Sequence, residues 1–147
     1  MNCLCAGTRR AARMLTQIYE EELRQAGLTA AQFELLGTLR ERTGLPQSEL
    51  TKALGLNQTT LSRNLKLPIQ QEWVERKVAV GDRRHASYRL TSAGEEVFFR
   101  AYPHWKRAQE RMKQVLGADW QIVSAAVEQL SLAIASTTSN LPQSNPE

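Results

Sequence analysis

Cysteine is scarce in this chain: two residues in 147, Cys3 and Cys5, cannot build the disulfide framework of a small secreted domain. Histidine is equally sparse. With His85 and His104 alone, no nucleophile–base pair and no metal-ligand spacing is recognisable, so no enzyme, no metal and no cofactor is expected. No uninterrupted apolar run approaches the ~20 residues of a membrane helix. The first nineteen residues hold Arg9, Arg10 and Arg13 and no acid, as a transit peptide would. They lack the apolar core of a secretion signal, however, and run into Tyr19-Glu20-Glu21-Glu22-Leu23 without a change of period, which reads as the start of a helix. The length is about one domain's worth and excludes a large multidomain enzyme. At 41% apolar and 23% charged residues, the composition is that of a folded, soluble, cytoplasmic domain.

What is present is a local excess of positive charge. Between Asn57 and Leu90 lie seven basic and three acidic residues, so this stretch holds the whole net charge of +4, while the other 113 residues balance twelve against twelve. That distribution suits a polyanion-binding module on an electrically balanced body. A chance cluster on a solvated face is the plainer alternative.

The pattern of apolar residues organises the rest. Ala12, Leu15, Ile18, Tyr19 and Leu23 recur at helical spacing and predict a first helix from about Thr8 to Gln25, ended by Gly27. Thr29-Ala30-Ala31-Gln32 has the form of a capping box and opens a second helix through Phe33, Leu35, Leu36 and Leu39, with Gly44 as its C-terminal cap. A third helix runs from Pro46, in its first turn, to Gly55. Asn57 caps a fourth, in which Leu61 and Leu65 lie one turn apart. Two short helices joined by a glycine-containing turn form a helix-turn-helix. Val74 to Val80, a Gly81-Asp82 turn and Ala86 to Leu90 then predict a hairpin with a basic tip. Such a hairpin is marginal alone and must lean on the helices before it. After Thr91 or Ser92, a long helix carries Val97, Phe98, Ala101, Trp105, Ala108, Met112 and Val115, with a kink expected between Phe99 and Pro103. Asp119 caps a last helix with Trp120, Val123, Val127, Leu130 and Ile134 on one side. The polar end from Ser136 is expected to fray, with residues 139–147 a flexible tail.

The fold expected is therefore mainly α with a small β-hairpin wing: a winged helix-turn-helix over residues 28–94, flanked by helices at 1–27 and 95–138. Those flanking helices hold more apolar surface than the central module can cover. They are expected to pack on a second copy of the chain, a monomeric bundle being the alternative.

These residues resemble the MarR-type transcriptional regulators. Leu50, Leu54-Gly55-Leu56, Thr60, Ser62-Arg63, Leu65, Val74, Arg76, Asp82-Arg83-Arg84 and Leu90-Thr91 followed by Gly94 stand in the order and spacing of that family. The wing motif, Asp-x-Arg then Leu-Thr-x-x-Gly, is the most specific. The resemblance covers nearly the whole chain as a single MarR-like domain. It implies a sequence-specific regulator that binds double-stranded DNA as a homodimer, on a pseudo-palindromic operator, as a ligand- or oxidant-responsive repressor. One stretch departs from the pattern. Where the family continues the fourth helix to a glycine before the wing, this chain reads Lys66-Leu67-Pro68-Ile69-Gln70-Gln71-Glu72-Trp73. Pro68 is expected to bend or restart the helix there, and Trp73 to pack under the wing.

With Leu61 and Leu65 inward, the fourth helix turns Thr59, Arg63 and Lys66 outward, with Gln58, Thr60 and Ser62 on the flanks. Arg63 suits a bidentate pair with guanine and Gln58 one with adenine, whereas Thr60, Ser62 and Lys66 suit phosphates. In the wing, Asp82 is expected to hold a neighbouring arginine extended while Arg83 or Arg84 reaches a minor groove. His85 reads as a surface residue or a phosphate contact and not as a pH switch. The resemblance further implies a small aromatic effector between the dimerisation helices and the winged helix. Phe98, His104 and Trp105 near Pro103 are the candidate crevice, though aromatics at helical spacing are commonly core. Cys3 and Cys5, with Arg9 and Arg10 nearby, are the candidate oxidant sensor, idle thiols being the alternative. A winged helix that serves as a protein–protein adaptor without an operator is the competing reading.

Overall fold

In the computed structural model, the backbone of residues 3–79 and 82–138 and the side chains of residues 3–78 and 86–137 are described. The first helix, α1 (Leu4–Leu23), begins four residues before the predicted Thr8 and closes through a 3-10 turn, Arg24–Ala26, onto Gly27. Gly27 takes φ +78°, the left-handed conformation that glycine adopts without steric cost. In α2 (Ala30–Glu41) the capping box is complete. The Gln32 N–H donates to Thr29 Oγ1 at 3.1 Å, and Gln32 Oε1 accepts from the Thr29 N–H at 2.9 Å. Glu20 of α1 adds a longer-range tie, its Oε1 accepting the Ala30 N–H at 2.8 Å. A carboxylate at that end also complements the helix dipole.

Two expectations are corrected at the next junction. The second helix ends at Glu41 rather than at Gly44, which instead turns the chain at φ +71°. The chain then forms β1 (Leu45–Pro46), a strand too short to show a period in sequence. Pro46 precedes α3 (Gln47–Leu54) as its N-cap instead of occupying its first turn. Its missing N–H costs nothing on a strand that pairs along one edge only. Gly55, at φ +62°, ends α3. The Asn57 carboxamide then accepts the Thr60 N–H at 2.8 Å and opens α4 (Gln58–Gln70).

Pro68 neither bends α4 out of register nor restarts it: the helix is continuous to Gln70. Only the bond to the Asn64 carbonyl is forfeited. The ring is fully buried, and its own carbonyl accepts the Trp73 N–H at 2.9 Å, which closes the helix end. Apolar burial thus offsets the lost bond. Glu72, where the family carries glycine nearby, sits at φ 59°, held there by Thr91 Oγ1 donating to its carbonyl at 2.6 Å.

The sheet is antiparallel in the order β1-β3-β2. Within it, β2 (Val74–Ala79) pairs Val74 with Leu90, Arg76 with Tyr88 and Val78 with Ala86 of β3 (Asp82–Leu90). β3 starts four residues before the predicted Ala86, so Asp82 belongs to the strand and not to the turn. Its added length accommodates a register shift at Val78/Ala79. Thr91 caps α5 (Ser92–Leu116) by accepting the Gly94 N–H at 3.1 Å. The helix runs uninterrupted through Pro103. A 3-10 turn, Gly117–Asp119, leads to α6 (Trp120–Thr138), so Ser136 to Thr138 are helical instead of frayed. The expected tail at 139–147 lies outside the described residues.

The chain divides after Glu110 into two compact units, with α5 passing from one to the next. The core of the first joins Leu35 and Leu36 of α2, Leu50 of α3, Leu61 and Leu65 of α4, Val74, Ala86 and Tyr88 of the sheet, and Phe98 and Ala101 of α5. Each fully buried leucine contributes about 1.5–3 kcal/mol of apolar transfer. Together they hold α3, α4 and the wing base as one body. The second unit is dominated by α6, which leaves Ile122, Val127, Leu132 and Ile134 more than half exposed.

Candidate nucleic-acid interface and an aromatic cavity

Burial of Leu61 and Leu65 sets the rotation of α4 about its axis. At about 100° per residue the face opposite them carries Thr59, Arg63 and Lys66, and all three are exposed. Gln58 and Ser62 are exposed beside them and Thr60 is half-buried, as the sequence pattern predicts. Several basic residues elsewhere on the first unit are matched by acids: Arg24 with Glu20 at 3.5 Å, Lys52 with Glu49 at 3.3 Å and Arg107 with Glu22 at 2.9 Å. Arg63 and Lys66 have no such partner among the described residues. Their charge is therefore uncompensated and directed to solvent at the exposed face of a helix-turn-helix.

The wing adds cations that the sequence reading counted but did not place in the site. Arg76 and Lys77 on β2 are exposed and lack an acidic partner among the described residues. Arg89 differs, because it is paired across the strands with Glu75. The side chains of Asp82, Arg83, Arg84 and His85 lie outside the described residues, and so does the expected Asp82–arginine bridge.

The second half of the wing motif, Leu90-Thr91 followed by Gly94, is a tether. Thr91 donates its N–H to the Trp73 carbonyl at 3.0 Å and its hydroxyl to the Glu72 and Trp73 carbonyls at 2.6 and 3.1 Å. A Cβ on Gly94 would stand 2.1 Å from that Trp73 oxygen, so only glycine lets α5 approach the strand entry this closely. Trp73 itself is half-buried against the core that includes Val74, Ala86 and Tyr88 of the sheet, and its backbone carbonyl takes the Thr91 bonds.

A cavity of about 800 Å³ opens among α1, α2 and α5. Of the predicted crevice residues, Phe98 and Trp105 line it and His104 does not. His104 is half-buried and its Nδ1 meets the Arg107 guanidinium. Sequence reasoning missed Tyr19 of α1, Phe33, Glu34, Arg40 and Glu41 of α2, and Phe99 and Tyr102 of α5. The rings are organised: Phe33 stacks on Phe98 at 4.8 Å between centroids and Tyr102 on Trp105 at 5.3 Å. Gly37 admits Phe98, whose Cε2 would lie 3.3 Å from a Cβ there. Burial raises both the Glu34 carboxyl and the Tyr19 phenol above their ordinary pKa values.

Cys3 and Cys5 are free and exposed at the start of α1. Among the described residues, no three His, Cys, Asp or Glu side chains gather to hold a metal, and no helix is long and apolar enough to cross a membrane.

A polar helix presented from a helix-turn-helix, with a tethered β-wing beside it, defines a winged-helix protein of the DNA-reading class. The sequence pattern of the MarR family matches residues 26–85. The transcriptional regulator MosR of M. tuberculosis, in a crystal structure with DNA, is 33% identical, with a TM-score of 0.81 over 95% of this chain and 100% of that one. A MarR family transcriptional regulator from Silicibacter pomeroyi is 29% identical, with a TM-score of 0.66 over 88% of this chain and 86% of that one. The HTH-type transcriptional regulator PecS of Dickeya dadantii (strain 3937) is 38% identical over 71 residues, 46% of this chain and 42% of PecS. The matched stretch thus spans less than half of that relative's length. This chain belongs to the MarR family of transcriptional regulators.

Proposed function

We propose that the protein is a homodimeric, sequence-specific repressor that binds a pseudo-palindromic operator in double-stranded DNA. The observation that carries this reading is the pair of exposed, unmatched cations, Arg63 and Lys66, on the face of α4 opposite buried Leu61 and Leu65. The DNA complex of MosR supports it. In this reading Arg63 and Gln58 read base edges in the major groove, with a Thr59 methyl against thymine. Thr60, Ser62 and Lys66 clamp phosphates. Arg83 or Arg84, extended by Asp82, enters the adjacent minor groove, and Arg76 and Lys77 add attraction for the backbone. Residues 28–94 act as the reader. An operator-bound dimer represses by excluding other proteins from the same duplex.

Residues 1–27 and 95–138 supply the dimer. Leu4 and Met14 of α1 in the first unit, and separately Ile122, Val127, Leu132 and Ile134 of α6 in the second, are 55–71% exposed, more exposed apolar area on each helix than a lone soluble chain commonly keeps. Two-fold pairing sets the readers about 34–36 Å apart, one turn of duplex. Introducing V127D and I134D together is expected to convert the dimer to monomers in sedimentation equilibrium and to abolish tight operator binding. An unchanged dimer mass overturns the assignment of α6.

In vitro selection of duplexes followed by mobility shift tests the reading as a whole. Log affinity for the selected inverted repeat is expected to fall steeply with log salt, by about 0.9 per phosphate neutralised. A flat dependence, or capture of a protein partner with no duplex requirement as an adaptor would show, rejects it.

In this reading the releasing signal is a ligand or an oxidant. A small aromatic effector in the cavity shifts α1 and α5 against the reader and changes the half-site spacing. Oxidation of exposed Cys3 and Cys5 acts at the same helix. Peroxide is expected to weaken operator binding by the native chain and to leave a Cys3→Ser, Cys5→Ser form unaffected; equal responses end the redox assignment.

A further inference from the structure

The cavity's charges and rings specify more than an aromatic guest. Glu34 and Glu41 stand one α2 face apart by two turns, with Arg40 as the basic residue beside them. None of the three has an ion-pair partner among the described residues. Arg40 is instead placed over two rings. Its guanidinium carbon lies 4.8 Å from the Phe99 ring centroid and 5.5 Å from that of Phe98. The protein's own cation thus shows that these ring faces accept positive charge, as the negative face of an aromatic quadrupole should. Tyr102 and Trp105 continue the aromatic wall.

We infer that the effector site takes an organic cation, an aryl- or alkyl-substituted ammonium, in preference to an aromatic acid. This rests on the cavity being the effector site. Two carboxylates against one arginine leave the lining at a formal charge of −1. An anion entering it would have to draw Arg40 off two rings and pass two like charges. A cation meets the aromatic wall that Tyr102 and Trp105 continue and the Glu34 carboxylate, whose partial burial makes a positive neighbour more favourable than it would be in water. At about 800 Å³ the space suits a drug-sized guest, since such pockets span about 300–1,000 Å³.

The test is calorimetry on the full chain without DNA, with phenyltrimethylammonium as the probe and benzoate and benzyl alcohol as anionic and neutral comparators. Phenyltrimethylammonium is expected to bind at least about tenfold more tightly than either comparator, about 1.4 kcal/mol. A Glu34→Gln, Glu41→Gln double variant is expected to erase most of that advantage while keeping the native melting temperature. Benzoate binding as tightly as the cation, no cation binding at millimolar concentration, or an unchanged cation affinity in the double variant each overturns the inference. The assay contains no duplex, so its failure leaves the operator reading standing, and a failed operator titration leaves the cation result standing.

Discussion

Arg63→Ala is expected to cost about 1–3 kcal/mol of discrimination between operator and mismatched duplex, the range for one good bidentate contact to a base pair. That is a loss of roughly 5- to 150-fold in the ratio of specific to non-specific affinity. Arg63 is exposed and without an ion-pair partner among the described residues, so its removal leaves no buried charge behind and no packing defect. The melting temperature should therefore hold while specificity collapses. Lys66→Ala provides the contrast, because loss of a phosphate contact weakens all duplexes alike and lowers the salt slope by about one. Mobility-shift titrations on the selected operator and on a scrambled duplex read both. If Arg63→Ala binds the two duplexes in the native ratio, α4 is not the element that reads sequence.

Gly94→Ala is expected to be among the most destabilising single changes in the first unit. The added carbon would lie 2.1 Å from the Trp73 oxygen and 2.6 Å from Leu90 Cδ1. The leucine can rotate, but the carbonyl is held by the Thr91 N–H and hydroxyl. Relief must come from moving the start of α5 or the entry to β2, and either motion breaks those bonds. Overpacking costs about 1–3 kcal/mol and each lost hydrogen bond about another 1 kcal/mol, which together give about 3 kcal/mol or more. Thermal circular dichroism should show a fall on the order of 6–12 °C, and a change within about 2 °C would mean that the approach of α5 is not constrained as described. Operator affinity should fall as well, since the same bonds hold the wing against α4.

The two substitutions differ in kind although both fall in family motif positions. Arg63 is there for what it meets outside the molecule. Thr91 and Gly94 are there for what they meet inside it, and the wing motif of Leu-Thr-x-x-Gly is in large part a device for docking a hairpin on a helix end.

Features set within a few residues were legible from the chain alone. The Thr29–Gln32 capping box, the Asn57 cap, the turn at Gly55 and the outward face of α4 all depend on partners three or four positions away. What went astray depended on distant segments. Pro68 reads as a helix bend because proline removes a local bond, and nothing nearby in sequence announces the core that receives its ring. β1 exists only because Leu45 and Pro46 meet Tyr88 and Ser87, some forty residues on. His104 looked like a crevice residue beside Pro103, yet it is engaged with Arg107 while Phe33 and Arg40 reach the cavity from another helix.

The order of residues by itself determined the helix-turn-helix, the clustering of positive charge and which side of α4 faces water, because helical periodicity and capping act over a single turn. Tertiary structure alone decided that Gly94 must lack a side chain, that Pro68 continues a helix, and that six aromatic rings, two glutamates and an arginine share one cavity. Those outcomes are matters of distance between segments remote along the chain, and they arise only when burial of the common apolar core brings the segments together.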